Sequence, residues 1–241
     1  MTEYEQKVYG EVQEWKWKLS ARSGLFNRLS KKAQTKINGL IPEKVHNALT
    51  EAIKGMVKTT LTGSGFTTRK PVYPSPVLKE MDEEAKRKIN VYQKTAMIEG
   101  AGTGAGGLLL GLADFPLLLT IKMKFLFEIA SVYGFDTDDY EERLFILHVF
   151  LLAFSSDETR FETLDIIDNW EERKRTVADM DWREFQQEYR DYIDLAKMLQ
   201  LVPGIGAVVG AVANNRLLGH LGATAMNAYR LRLMNEKPAG L

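Results

Sequence analysis

The sequence predicts an all-α protein, and three observations carry that prediction. Apolar residues recur at spacings of three and four rather than two along nearly all of its 241 residues. Alternating β-branched runs are scarce. Helix-starting Asp and Pro and helix-stopping Gly fall at the ends of the periodic segments. The expected architecture is a single helical domain in which two glycine-rich helices pack together and a basic helical arm precedes them. Along the chain it divides into the arm at 1–61, a linker at 62–80 and a core at 81–241, with arm and core forming one folded unit.

Each element has its own justification. Tyr4, Val8, Val12, Trp15 and Leu19 make a first helical seam, and Phe26, Leu29, Ala33, Ile37 and Leu40 a second. Pro42 suits a helix start, where its missing N–H is harmless, and Val45, Leu49, Ile53, Met56 and Leu61 follow at helical spacing. From Thr62 to Pro76, Gly63, Gly65, Pro71, Pro74 and Pro76 with Ser and Thr between them read as an extended connector. Met81 to Glu99 is a charged amphipathic helix that runs into Gly100–Ile121 (GAGTGAGGLLLGLADFPLLLTI), where Asp114 is the single charge. Asp114 ahead of Phe115 and Pro116 reads as an N-cap with proline in the first turn, so this stretch is expected to be two helices meeting at Asp114. The next helix should stop at Gly134, and Asp136 to Asp139 with Glu141 and Glu142 should start the one after it, which buries Leu144, Leu147, Phe150 and Leu151. Charged helices are expected over 157–175 and 181–201, and a last helix after Pro203.

Glycine inside a helix is unfavourable by about 1 kcal/mol relative to alanine, so rows of it imply very close helix packing. Gly100, Gly102, Gly104, Gly106, Gly107 and Gly111 form one such row, and Gly206 with Gly210 a second inside Met198–Asn215, eighteen residues without a charge. The helices after Gly100 and after Pro203 are therefore expected to pack on each other, or to leave a groove between them.

Net charge is zero, but Lys16–Lys79 holds thirteen Lys and Arg against two acids, while the residues before and after it carry an acidic excess. Such a basic block either neutralises acids in the same fold or faces an anionic partner. Trp17 lies off its helical seam between Lys16 and Lys18, as an interfacial anchor would. The expected membrane-binding residues are Trp17, Arg28, Lys31, Lys32, Lys36, Lys54 and Lys58. There is no cysteine, which removes disulfides and thiol chemistry and fits a reducing compartment. The polar, acidic N-terminus does not look like a secretory signal.

Catalytic and metal motifs fail on context. Gly102, Gly104 and Gly107 match G-x-G-x-x-G by spacing, yet the segment before them is helical where a dinucleotide fold needs a strand. His46, His148 and His220 are far apart, with no H-E-x-x-H, and no G-x-S-x-G exists. The acids at 136–142 lack the central glycine of a calcium loop. The expectation is no catalytic residue, no metal and no cofactor.

In combination, the glycine-rich segment, LADFPLLL, FEIASVYGFDTDDYEERL and LVPGIGAVVGAVANNRL resemble the EcsC family of bacterial proteins over almost the whole length. The matching positions are Asp114, Pro116, Gly134, Asp136, Glu141, Glu142, Arg143, Pro203 and Gly204. The resemblance implies a membrane context, since the family's namesake is encoded beside the ATPase and membrane subunits of an ABC transporter, and it implies no active site. The functional expectation is a non-enzymatic accessory or regulatory protein, cytoplasmic and peripheral at the inner face of the cell membrane. Its expected partners are an anionic membrane surface and ABC transporter subunits, with no nucleic acid. The alternatives are a soluble carrier of a lipid or other apolar ligand and a small hydrolase of unrecognised type.

Overall fold

The computed structural model describes residues 1–21, 43–63, 77–103, 107–155, 157–178 and 207–236. Among them the chain forms α1 (Glu3–Ala21), α2 (Glu43–Thr62), α3 (Leu78–Thr103), α4 (Gly107–Val132), α5 (Tyr140–Phe154), α6 (Asp157–Asp168), α7 (Trp170–Ala178) and α8 (Ala207–Glu236), with no strand. The fold is all-α, a single helical domain. The expected helices over 26–40 and 181–201 and the connector at 64–76 lie outside the described residues.

Helix ends follow the local chemistry. Gly134, at φ +88°, closes α4: its N–H donates to Ser131 O at 3.1 Å and the Phe135 N–H reaches back to Ala130 O at 3.1 Å. That is the six-to-one and five-to-two pairing of a left-handed glycine cap, which a side chain at this φ would strain. Asp139 then caps α5 by accepting from the Glu141 N–H at 3.1 Å. The Asp136 carboxylate accepts from the Asp138 N–H at 3.0 Å, so these acids build a turn and a helix start, as their pattern implied.

Two expectations are corrected. The helix does not break at Asp114, because α4 runs continuously from Gly107 to Val132 with Pro116 inside it. Proline removes one hydrogen bond to the carbonyl a turn earlier, and the buried side chains of Phe115, Leu118 and Leu119 beside it supply packing that offsets the loss. The helix expected over 157–175 is two, α6 and α7, joined at Asn169, whose side-chain amide donates to the Asp165 carbonyl and carboxylate at 3.0 Å each. Trp170 turns inward there and its ring meets Phe145 edge-on at 5.0 Å.

The core is continuous. Val8 and Val12 of α1 and Leu49, Ile53, Met56, Val57 and Leu61 of α2 join it together with α4, α5 and α8. α5 is buried nearly all round, from Leu144 to Phe154, and forms the centre. The longest helix, α8, lies against α3 along most of their common length and also touches α1, α4, α5 and α6.

The α3–α8 pair is antiparallel, and its register can be read from named contacts. Asp82 of α3 pairs with Arg230, Ile89 faces Gly222, and the Gln93 amide donates to Asn215 O at 3.1 Å and abuts Gly219. A Cβ at Gly222 would stand 2.7 Å from Ile89 Cγ1, and one at Gly219 would stand 2.7 Å from Gln93 Nε2. The close approach of these two helices thus needs glycine at 222, where branched Ile89 stands in the way, while at 219 the obstacle is the movable end of Gln93.

Candidate functional site

The conspicuous chemistry of the molecule is buried charge, and α8 supplies its cations. Asp82, fully buried on the inner seam of α3 with Leu78 and Ala85, takes a forked ion pair from Arg230, with Nη2 to Oδ2 at 2.8 Å and Nε to Oδ1 at 3.0 Å. Tyr4 of α1 donates to its Oδ2 at 2.7 Å and Tyr133, at the end of α4, to its Oδ1 at 2.6 Å. The remaining Arg230 nitrogen reaches Glu11 at 3.2 Å and Asn227 at 3.3 Å. One carboxylate thereby ties α1, α3, α4 and α8 together. Burial and the neighbouring Asp82 charge push the Tyr4 phenol up to about 12 and Tyr133 higher still, so both remain donors at any physiological pH.

Two residues further along α8, Arg232 closes a second acid. Glu142, 3% exposed in the first turn of α5, accepts from Arg232 Nη1 and from the Tyr229 phenol at 2.7 Å. The Arg232 guanidinium lies over Phe135 at 4.0 Å and over Phe145 at 4.8 Å, which shields the pair from water. Tyr229 stacks on Tyr133 at 5.6 Å and joins the two centres. Burial outweighs Arg232 and Tyr229, and pushes the Glu142 carboxyl up to about 7. Four residues past Leu144, whose carbonyl it contacts through Nδ1 at 2.7 Å, His148 is buried against Trp170, and burial pulls it down to about 4.

This arrangement is a clamp. Every buried acid in it faces a cation and a phenol, and among the described residues no group of three or more His, Asp or Glu is placed to hold a metal. The sequence reading missed Asp82, Arg230 and Arg232. The signal available was an acid at 82 on an otherwise apolar seam of 78, 85 and 89, and two arginines inside the apolar run AMNAYRLRLM.

The expected site residues are scattered. Trp17 is 68% exposed, beside Lys16, which pairs with Asp168, and Lys18, which pairs with Glu14. Lys54 holds Glu51 at 2.6 Å and Lys58 is exposed; Arg28, Lys31, Lys32 and Lys36 lie outside the described residues. Gly100 and Gly102 fall in the last turn of α3, Gly107 and Gly111 in the first turns of α4, and Gly210 in the first turn of α8; Gly104, Gly106, Pro203, Gly204 and Gly206 lie outside the description. Glu141 pairs with Lys174 at 3.3 Å. Arg143 donates to Leu61 O at 3.0 Å and Asp138 O at 2.7 Å, which pins the end of α2 to the turn before α5. Trp17 and the glycine-rich ends lie at opposite ends of the bundle, because Lys16 shares Asp168 with Asn235, near the C-terminus of α8.

The antiparallel packing gathers the C-terminal end of α3 and the N-terminal ends of α4 and α8 at the other end. Beyond Lys94, Lys122 and Arg216 these helices carry two charged residues, Glu99 and Asp114. Leu117 there is 57% exposed, with Pro116 and Thr120 also exposed. Among the described residues no helix is long and apolar enough to cross a membrane.

The helices and their clamp define an all-α protein closed by a long C-terminal helix, whose two arginines neutralise acids from α3 and α5. The chain belongs to the EcsC protein family, whose model matches residues 6–234. It is similar to Protein EcsC of Bacillus subtilis (strain 168), with 51% identity over 231 residues, 96% of this chain and 97% of that one. It is also similar to the uncharacterized protein YdbA of the same organism, with 32% identity over 169 residues, 68% of this chain and 61% of that one. No solved structure matches it.

Proposed function

We propose that this chain is a non-enzymatic accessory protein that acts at the inner face of the cell membrane together with an ABC-type transporter. The observation that carries the membrane part is the gathering, at one end of the bundle, of nearly charge-free helix ends from segments a hundred residues apart, with Leu117 exposed among them. Leu117 and Pro116, exposed beside turns whose residues carry little charge, suit a lipid surface. The transporter enters through the family, whose namesake is encoded beside the ATPase and membrane subunits of such a transporter. The glycines serve helix packing in this reading: the α3–α8 register, continued toward that end, sets Gly102 level with Gly210.

Cell fractionation tests the proposal. The chain is expected in the membrane fraction at low salt, to be recovered with transporter subunits after mild detergent, and to be released at least in part by high salt. Recovery wholly in the soluble fraction, together with indifference of the purified protein to anionic vesicles at low salt, would sink it.

A further inference from the structure

We infer that the chain meets an anionic bilayer end-on, with the ends of α3, α4 and α8 that lack Lys and Arg as an insertion tip and Lys94, Lys124 and Arg216 as a basic collar at the headgroup level. The inference rests on the membrane reading above and adds the surface, its orientation and its lipid chemistry.

The three cations come from three helices, yet the packing puts them at one height. Lys94 follows Gln93, whose amide bonds Asn215 O; Arg216 follows Asn215; and Lys124 precedes Phe125, whose ring packs on Tyr92 at 5.2 Å. Each therefore lies within about one helical turn of the others along the bundle axis. All three are exposed, and none has an ion-pair partner among the described residues. The neighbouring Lys122 is buried, so Lys124 is the cation that α4 presents here. The level below is paired off instead, where Lys88 and Tyr92 both bind Glu128, at 2.8 and 2.7 Å.

Past the collar, α3 to Thr103, α4 back to Gly107 and α8 back to Ala207 carry no Lys or Arg. From Lys94 to Thr103 and from Arg216 back to Ala207 the helices extend about 13 Å at the usual 1.5 Å rise per residue. α4 extends further, about 25 Å from Lys124 back to Gly107, and Leu117 lies about 10 Å past the collar, a depth within one leaflet of a hydrocarbon core of roughly 30 Å. Leu117 points outward within the tip, and Leu117, Thr120 and Lys124 run along one exposed stripe of α4 from tip to collar. Along the helices Glu99 comes one to two turns past Lys94, and Asp114 about three turns past Lys124. Trp17 sits near Asn235, some 30 Å from the collar by the rise of α8, and so stays clear of a bilayer met in this orientation.

The absence of cysteine makes the test direct. Leu117→Cys and Trp17→Cys variants of the full chain, each carrying one environment-sensitive fluorophore, are mixed with phosphatidylglycerol–phosphatidylcholine vesicles whose acyl chains bear nitroxide quenchers. The label at 117 is expected to shift blue and be quenched while the label at 17 is unaffected. Reversing the collar with K94E, K124E and R216E together should weaken vesicle partition by about tenfold or more at an unchanged urea midpoint, and Asp114→Asn should strengthen it. Quenching at 17, alone or with 117, overturns the end-on orientation while leaving the membrane reading intact. A shift at 117 without lipid that grows with protein concentration makes the tip a self-association surface and also overturns the inference. Failure of the unmodified chain to bind the vesicles removes both.

Discussion

The two ends of the bundle are built on opposite principles. At one, Asp82 and Glu142 are withdrawn from water and matched by Arg230, Arg232 and three phenols; at the other, the ends of α3, α4 and α8 carry almost no charge and leave Leu117 and Pro116 outside. Buried ion pairs are poor sources of net stability, but removing one partner is severe because the other charge stays buried. The clamped end therefore sets which helices meet and in what register, whereas the uncharged end can change without the fold noticing. Mutations should divide along that line.

The largest effect is expected at the clamp. Arg230→Met leaves Asp82 buried without its cation and should cost about 3–5 kcal/mol in urea unfolding; adding Asp82→Leu should recover a good part of that. If the single and double variants were equally unstable, Arg230 would matter through its packing and not through Asp82.

The second test is pH. Glu142 is pushed up to about 7, so between the unfolded value near 4.5 and about 7 the native state holds more protons, and its contribution to stability falls as pH rises through that window. His148 works in the opposite sense: its native value near 4 lies below the unfolded value near 6.5, so its contribution is present above 6.5 and is lost as pH falls toward 4. The two slopes oppose one another over most of the window, and the unmodified protein should show a shallow profile. E142Q should expose a stability that rises with pH, and His148→Gln one that falls with pH, each by about 1–3 kcal/mol across its window. Identical profiles in all three proteins would remove both groups from the account.

The interface joining the two ends gives a smaller effect. Gly222→Ala drives a methyl into the branched side chain of Ile89 and should cost about 1–3 kcal/mol. Gly219→Ala meets only the mobile end of Gln93 and should cost about 1 kcal/mol, mainly through the bond to Asn215. At the uncharged end Leu117→Ser should change stability by no more than about 0.5 kcal/mol, and a larger loss would mean that Leu117 serves the fold.

Much of the helical framework is legible along the chain because it follows from periodicity and caps. Val8 and Val12, Leu49 and Ile53, the glycine closing α4 and the Asp139 cap are all local statements. Asp114 was misread for a physical reason: Asp ahead of a proline looks the same whether it caps a helix or lies inside one. The choice is made by Phe115, Leu118 and Leu119, whose burial depends on distant helices. Asp82 is visible as an acid on an apolar seam, but its cation lies 148 residues away, and the partner of Glu142 lies 90 residues away. The glycine rows at 100–111 and 206–210 are not where the described close contacts fall: those are at 219 and 222, since a glycine row marks where approach is allowed and the facing side chain decides where it happens.

The position of Arg230 and Arg232 has a consequence for biosynthesis. The cations follow the acids that they neutralise by 148 and 90 residues, so those acids are made long before them. While the ribosome is still synthesising α8, Asp82 and Glu142 have no arginine to meet, and the inner faces of α3 and α5 cannot be sealed in their final arrangement. α8 thus seals the fold: chains cut before Arg230 should be held open and degraded, whereas chains that include both arginines should resist protease.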